Sequence, residues 1–123
     1  MAAGGGRPVS VYDFGLDNRT VADGLAVPSA SALVLDAIGS GIDAAVAVAD
    51  AEMLAWARRA WADAGLRLEP SAASGFAAVG PFLSAAPELR EATHVVWTTG
   101  GSLLPDDEFA AVLASAEAGA LRT

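Results

Sequence analysis

Residues 93–102, which read THVVWTTGGS, constrain the fold of this chain more than any other stretch. Their apolar run, residues 95–97, is typical of a strand that is covered on both faces. Gly100 and Gly101 then allow the backbone to turn sharply and to approach a ligand closely. Ligands of open parallel sheets bind beyond the carboxyl ends of the strands. The stretch therefore indicates either a ligand site at a sheet edge or an ordinary loop after a strand, because a glycine pair alone is a weak signal.

The rest of the chain alternates between extended and helical patterns. Strands are predicted at 9–12, 45–48, 66–68 and 95–97, and helices at 32–38, 51–64, 72–79 and 105–118. Asp50 is predicted to cap the second helix, and residues 81–90 to form a turn-rich link. This order predicts an α/β domain with a mainly parallel sheet flanked by helices. The glycine-rich residues 1–8 are predicted to be a flexible leader, so the domain is assigned to residues 9–123.

Composition argues against several classes of function. The 123 residues carry a net charge of −8, which disfavours nucleic acid or an anionic membrane as a partner. The chain has no cysteine, which excludes a thiolate metal site, and we predict no metal site of any kind. No apolar run approaches the ~20 residues of a membrane span, and residues 1–8 lack the apolar core of a signal peptide. We therefore expect a cytoplasmic protein.

The loop at residues 13–28 is dense in Asp, Asn and Gly, with single apolar residues set between them. Such a segment forms neither a good helix nor a good strand, and its apolar residues favour an ordered loop. Two interpretations are open for its polar side chains. Either they bind a ligand, or they form hydrogen bonds with one another and with the nearby backbone. The side chains concerned are those of Asp17, Asn18, Arg19 and Asp23.

Glu69 follows a predicted strand and precedes Pro70, which suits the first position of the next helix. Its carboxylate lies either at the ligand edge of the sheet or at the positive end of that helix, which it would neutralise. His94 is the chain's single histidine, and at the entrance to a strand we interpret it as structural. Hydroxyl groups are available at the end of the same strand, on Thr98, Thr99 and Ser102.

Four segments together resemble the C-terminal part of the D-serine dehydratase (D-serine ammonia-lyase) family, whose members are fold-type II pyridoxal-phosphate enzymes. They are YDFGLDNRT at 12–20, ADGLAV at 22–27, RLEPSA at 67–72 and ATHVVWTTGG at 92–101. They occur in the family's order and at similar spacing, and the likeness runs from about residue 9 to residue 109. The second and third are similar to threonine dehydratases and serine racemases as well. The first and fourth narrow the resemblance to D-serine dehydratases.

The resemblance implies an enzyme that removes water and then ammonia from D-serine to give pyruvate, with pyridoxal 5'-phosphate as its cofactor. The hydroxyl of the residue that matches Thr99 faces the pyridine nitrogen, and the glycine pair matches the turn beside the ring. Other matching positions lie near the cofactor or the substrate, although the role of the glutamate is less defined. The implied cofactor-binding residues are Asp23, Gly24, Glu69, Thr99, Gly100 and Gly101.

The chain departs from this family pattern in two respects. It lacks the N-terminal two-thirds of the family sequence, with the Schiff-base lysine, the phosphate-binding glycine loop and the loop for the substrate carboxylate. All seven of its basic residues are arginines, so it cannot attach a carbonyl cofactor through a lysine. No catalytic residue is therefore assigned to it, and alone it is expected to be inactive, with that N-terminal portion as its partner.

The second departure is the link at residues 73–90, which is shorter than in the family. Two alternatives to a D-serine ammonia-lyase remain open at this point. One is a non-catalytic α/β module that needs a partner chain. The other is part of a threonine or L-serine dehydratase.

Overall fold

The computed structural model describes the backbone of residues 9–120 and the side chains of residues 9–115. Within this range the regular structure is helical. The α-helices are α1 (Ala32–Ile38), α2 (Asp50–Ala64), α3 (Pro70–Ala85) and α4 (Asp106–Ala120). Short 3-10 helices occur at Val11–Phe14, Asp23–Leu25, Gly39–Gly41 and Pro87–Leu89. The predicted leader at 1–8 lies outside the described residues.

The predicted parallel sheet is absent from residues 9–120, where β-pairing is limited to one antiparallel bridge between Ser10 and Ser29. The segments at 45–48, 66–68 and 95–97 have neither helical nor strand structure. A strand exists only when a neighbouring strand takes up its N–H and C=O groups, and local sequence preference cannot replace that neighbour. The helices of the α/β prediction are therefore found and its strands are not.

The chain divides into two compact units, of which the first ends at Ala45 and the second begins at Val46. In the first unit the strand predicted at 9–12 is wrong, because Val11–Phe14 forms a 3-10 helix. Ser10 caps this helix with its side chain, and the Asp13 carboxylate accepts a hydrogen bond from the Ser10 N–H at 2.9 Å. This reciprocal cap is a local interaction that outweighs the alternating apolar pattern.

The second unit is built around α2, which packs against both α3 and α4. Its interior is mostly small or unbranched side chains, which allow the helices to approach closely. Two aromatic pairs join the helices: Trp56 stacks on Phe76 at 5.8 Å, and Trp61 meets Phe109 edge-on at 5.3 Å. Both tryptophans are thus packing residues. The buried apolar residues of this unit are Met53, Ala57, Ala60, Leu68, Ala72, Ala73, Ala77 and Phe109.

The helix boundaries lie within two residues of the prediction for α1, α2 and α4 and differ more for α3. Helix α1 has the predicted bounds. The prediction that Asp50 caps α2 is wrong, because α2 begins at Asp50 itself with Ala49 as its N-cap, and Gly65 ends α2 with a φ of 64°. Helix α3 is longer than predicted, since it continues through Pro81 to Ala85. Over the range that the structure describes, no helix is both long enough and apolar enough to cross a membrane.

Candidate functional site

Two segments of the second unit that were predicted to end strands come into direct contact. They are residues 67–69, which lead into α3, and residues 99–104, which we call the glycine turn. The Glu69 N–H donates a long hydrogen bond of 3.5 Å to the Gly100 carbonyl. Gly101 is buried and has a φ of 135°. The sequence left two positions open for Glu69, and the structure places it beside the glycine pair.

The backbone of Gly101 lies directly on the backbone of the other segment. A Cβ atom at this position would lie 2.3 Å from the Arg67 carbonyl oxygen and 2.6 Å from the Leu68 Cα. Real Cβ atoms do not approach backbone atoms that closely, and the positive φ independently favours glycine. Glycine at 101 therefore serves the contact between two stretches of chain.

The Glu69 carboxylate fills the space beside Gly100. A Cβ on Gly100 would lie 2.7 Å from Glu69 Oε1 and 2.9 Å from its Cδ. Glu69 occupies the N-cap position of α3, yet its side chain makes no capping hydrogen bond; its carbonyl accepts the Ala73 N–H at 3.1 Å. The carboxylate is thus directed across the glycine turn, and hydrogen-bonded capping of α3 does not explain its position.

The hydroxyl groups at the turn are accessible. Thr98, Thr99 and Ser102 are exposed, whereas Gly100 between them is half-buried. Thr99 therefore does not point into a closed apolar interior. A ligand that approaches the turn would meet a hydroxyl at Thr99, a stretch of backbone without side chains and then a carboxylate.

A second polar group near Glu69 has no hydrogen-bond partner within the described range. The Ser71 Oγ is buried in the first turn of α3, and Ser71 is only 7% exposed. Buried hydroxyls in proteins are nearly always hydrogen-bonded, often to a carbonyl one turn earlier in the helix. An unsatisfied hydroxyl two residues after Glu69 is typical of a polar site that another group completes.

Asp23 and Gly24 belong to the first compact unit, where they begin the short helix Asp23–Leu25. The Asp23 carboxylate accepts the Gly24 N–H at 2.8 Å, and both residues are exposed. In the same loop Asn18 bonds the Ala26 carbonyl and the Tyr12 hydroxyl, and the Asp17 carboxylate accepts the Arg19 N–H. Of the two interpretations, hydrogen bonding within the loop therefore accounts for Asp17 and Asn18.

The predicted covered strand at 95–97 is wrong in its burial. Val95 and Trp97 are 85% and 84% exposed, and the half-buried side chain is Val96, which packs against Gly75 of α3. One side of the segment faces α3, while no described residue covers the other. His94 hydrogen-bonds the Leu89 carbonyl at 3.0 Å, in keeping with a structural role.

Sequence reasoning overlooked Arg67, whose guanidinium reaches Gly101 at 3.3 Å and Asp106 at 2.8 Å. The sequence contains only a weak signal for this role of Arg67. A single arginine between Leu66 and Leu68 alternates with apolar neighbours, which places it on the opposite face of an extended segment. The acidic start of α4 offers it a partner, but nothing local connects positions 34 to 39 residues apart.

Comparison with known proteins gives a consistent result. The family model described as "Pyridoxal-phosphate dependent enzyme" matches residues 2–100. The chain is 45% identical over 119 residues to a probable D-serine dehydratase of Burkholderia lata, covering 88% of this chain and 26% of that protein. It is 44% identical over 131 residues to a probable D-serine dehydratase of Sinorhizobium medicae, with 96% and 29% covered.

A D-serine dehydratase of Photorhabdus laumondii is 41% identical over 121 residues, covering 89% of this chain and 27% of that protein. The chain therefore spans less than a third of the length of these curated relatives.

Proposed function

The chain belongs to the family of pyridoxal-phosphate dependent enzymes, and on this premise we propose that it contributes the C-terminal part of a D-serine ammonia-lyase. The observation that carries the proposal is the contact between Glu69 and the glycine turn, with the Thr99 hydroxyl exposed beside it. The names of the relatives support D-serine as the substrate and dehydration as the reaction.

The residues of the turn fit the ring of this cofactor. A flat aromatic ring needs a stretch of backbone from which no side chain projects, and Gly100 is such a position. Gly101 would hold the turn in place through its contact with residues 67–69. The Thr99 hydroxyl can bond a pyridine nitrogen in either sense, because a hydroxyl both donates and accepts. The Glu69 carboxylate beside Gly100 provides a further polar group within the same unit.

Bound pyridoxal phosphate supplies an electron sink for the elimination. Thr99 would hold the ring nitrogen by a neutral hydrogen bond, and a hydroxyl in that place, unlike a carboxylic acid, need not protonate the nitrogen. The Glu69 carboxylate, which lies beside Gly100, could accept hydrogen bonds at the edge of the turn. Asp23 and Gly24 are proposed as cofactor-binding residues on the family resemblance alone. The covalent attachment of the cofactor is not supplied by this chain, which has no lysine.

The parallel sheet and the cytoplasmic location are parts of the same proposal. The segments 45–48 and 95–97 would become strands by pairing with the additional length that the relatives possess. The exposed side chains of Val95 and Trp97 support this pairing, because exposed apolar residues of that size usually mark an interaction surface.

The test is to mix the chain with the polypeptide that corresponds to the rest of the Burkholderia lata relative and to add pyridoxal phosphate. Ammonia release is then measured with D-serine, L-serine or L-threonine as the substrate, because the two serines yield pyruvate whereas threonine yields 2-oxobutyrate. We expect release from D-serine above all. Preferential release from L-serine or L-threonine would change the substrate, and a tight complex that releases no ammonia from any of the three would contradict the lyase.

We expect Thr99→Val to weaken pyridoxal-phosphate affinity in this mixture by about tenfold or more, the effect of one buried hydrogen bond to a polar ring atom. Quenching of tryptophan fluorescence by the cofactor gives the affinity. Thr98→Val is the matched control, since it makes the same change one residue away and should leave the affinity within about twofold. Equal effects of the two substitutions would refute the role of Thr99.

A further inference from the structure

Arg67 makes four interactions with a short stretch of chain that begins at Gly101. Its Nε donates to the Gly101 carbonyl at 3.3 Å and its Nη1 to Asp106 Oδ1 at 2.8 Å, while its Nη2 donates to the Leu104 carbonyl. Its Cζ lies 4.5 Å from the centre of the Phe109 ring. Only 26% of the side chain is exposed. One guanidinium thus joins the glycine turn to the first helical turn of α4.

Apart from the bonds of Arg67, two hydrogen bonds hold the glycine turn within the described residues. The Glu69 N–H bonds the Gly100 carbonyl at 3.5 Å, and the Leu104 N–H bonds the Gly101 carbonyl at 3.2 Å. Ser102 and Leu103 at its tip are exposed, Leu103 to 96%. Without Arg67, the Leu104 carbonyl would lose its hydrogen bond and the Gly101 carbonyl one of its two. A turn with so few contacts would open readily.

We propose that Arg67 is a positioning residue that fixes the glycine turn against residues 67–69 and α4. It thereby determines where Thr99 and Gly100 lie relative to the Glu69 carboxylate. That the turn faces the cofactor rests on the proposed function. That Arg67 fixes the turn does not, because it involves only contacts within the second unit. Arg67 touches no reacting atom, so its effect on a bound ring would act through the turn.

The role requires the planar fork of arginine. Three different nitrogens of the group reach three separate oxygens, and its flat face covers the ring of Phe109, which is 5% exposed. A lysine ammonium is a single point and cannot reach both carbonyls and the carboxylate together. If the turn needs only a positive charge at position 67, lysine will hold it. If it needs the fork of the guanidinium, lysine will not.

The test measures hydrogen exchange of the Leu104 amide in the cofactor-free chain, as a ratio to the Gly65 amide. The Gly65 N–H bonds the Trp61 carbonyl at 2.9 Å at the end of α2, outside the hydrogen bonds that Arg67 makes, so it reports on the stability of α2. We expect Arg67→Met to raise the ratio by about tenfold or more, because local opening of the turn becomes easier while α2 stays folded. Arg67→Lys should still raise it by about threefold or more.

Arg59 is the matched control. It also forms an ion pair, with Asp63 at 3.1 Å, and lies over a ring, that of Trp56 at 5.0 Å, but all three residues belong to α2. Arg59→Met and Arg59→Lys should leave the ratio within about twofold. If Arg67→Met does not fold, the comparison of Arg67→Lys with Arg59→Lys tests the proposal. A ratio in Arg67→Lys that equals the wild-type ratio, or equal ratios in the Arg67 and Arg59 variants, overturns the proposal.

The same samples separate this inference from the proposed function. Pyridoxal-phosphate binding is titrated in the reconstituted mixture for each variant. A raised exchange ratio together with no cofactor binding by the wild type supports the positioning role and contradicts the enzyme. Normal cofactor binding by the wild type with an unchanged exchange ratio in Arg67→Met supports the enzyme and overturns the positioning role.

Discussion

At the scale of single residues, the two adjacent glycines of the turn meet different obstacles. A side chain at Gly100 would meet the end of a flexible glutamate, which can rotate away. A side chain at Gly101 would meet backbone of residues 67–69 at 2.3 to 2.8 Å, and backbone there cannot move without opening the turn. Gly101 alone of the pair also has a positive φ. A substitution at Gly100 therefore tests the approach of a ligand, and a substitution at Gly101 tests the folding of the turn.

Gly100→Ala is expected to change the free energy of unfolding by about 1 kcal/mol or less, since only the Glu69 side chain must move. Gly101→Ala is expected to cost about 3 kcal/mol or more, from strain in φ and from backbone overlap. Urea denaturation of both variants measures the difference. Gly41→Ala is a suitable control, because nothing lies within 4 Å of the added methyl group.

In the same pair, Gly100→Ala should weaken pyridoxal-phosphate binding in spite of its small effect on stability. The methyl group displaces the Glu69 carboxylate and occupies the space beside the ring. Unchanged stability of Gly101→Ala would mean that the backbone contact with residues 67–69 is not maintained in solution.

Part of this arrangement was predictable at the residue scale. The glycine pair and Glu69 carry local signals, namely a turn and a helix start, and each signal places its residue at the end of an apolar segment. Arg67 carries none, because its partners lie 34 to 39 positions further along the chain and two of them are backbone carbonyls. Backbone carbonyls have no residue identity, so a sequence pattern cannot indicate which of them a guanidinium will reach.

At the scale of elements, α3 is notable because it contains two prolines in opposite positions. Pro70 is its first residue, where a missing N–H costs nothing. Pro81 lies inside it, where the ring removes the bond to the carbonyl four residues earlier and crowds that carbonyl. Gly80, immediately before Pro81, lacks the Cβ that would add to this crowding. The buried residues of α3 lie between Pro70 and Ala77, before Pro81, and this part of the helix packs against α2.

Pro81→Ala is expected to raise the free energy of unfolding by about 1 to 3 kcal/mol, because the helix regains a hydrogen bond and loses a clash. Thermal or urea unfolding measures the gain. Pro70→Ala is the matched control in the same helix, and it should not stabilise, since Pro70 is buried and well placed. Stabilisation of equal size at both positions would mean that Pro81 does not distort α3.

Helices were more predictable than strands for a physical reason. The start and end of a helix are set by local groups: Gly65 takes the left-handed conformation after α2, and acidic residues lie in the first turn of α4. The strands predicted at 45–48 and 95–97 depend on hydrogen bonds to a second strand, and the described residues provide none. Val9 to Tyr12 had the alternation of a strand, but the Ser10 and Asp13 side chains satisfy its backbone in a helical turn instead.

At the scale of the whole molecule, the distribution of apolar surface is unusual. Hydrophobic residues make up 54% of the sequence, yet several large apolar side chains are almost fully exposed to solvent. Among them are Val95, Trp97 and Leu103, which are 84% to 96% exposed. The net charge of −8 opposes association through these residues, because identical chains repel one another at low salt. We expect association of the pure chain to grow as salt is added.

Trp97→Gln should leave the free energy of unfolding within about 0.5 kcal/mol, because an exposed side chain contributes little to the folded state. It should also reduce self-association at high salt, as measured by sedimentation velocity. Val96→Ala is the neighbouring control: it removes the contact with Gly75 and should cost about 1 kcal/mol. A large loss of stability in Trp97→Gln would contradict the exposure of this segment.

The exposed tip of the glycine turn, Ser102 and Leu103, lies between two fixed points, since Gly101 and Leu104 are both bonded by Arg67. The entropy of closing a loop rises only slowly with its length. Related chains could therefore accept extra residues between positions 102 and 103, and acquire new contacts there, while the base of the turn keeps its geometry. Length variation among natural homologues would be concentrated at this tip.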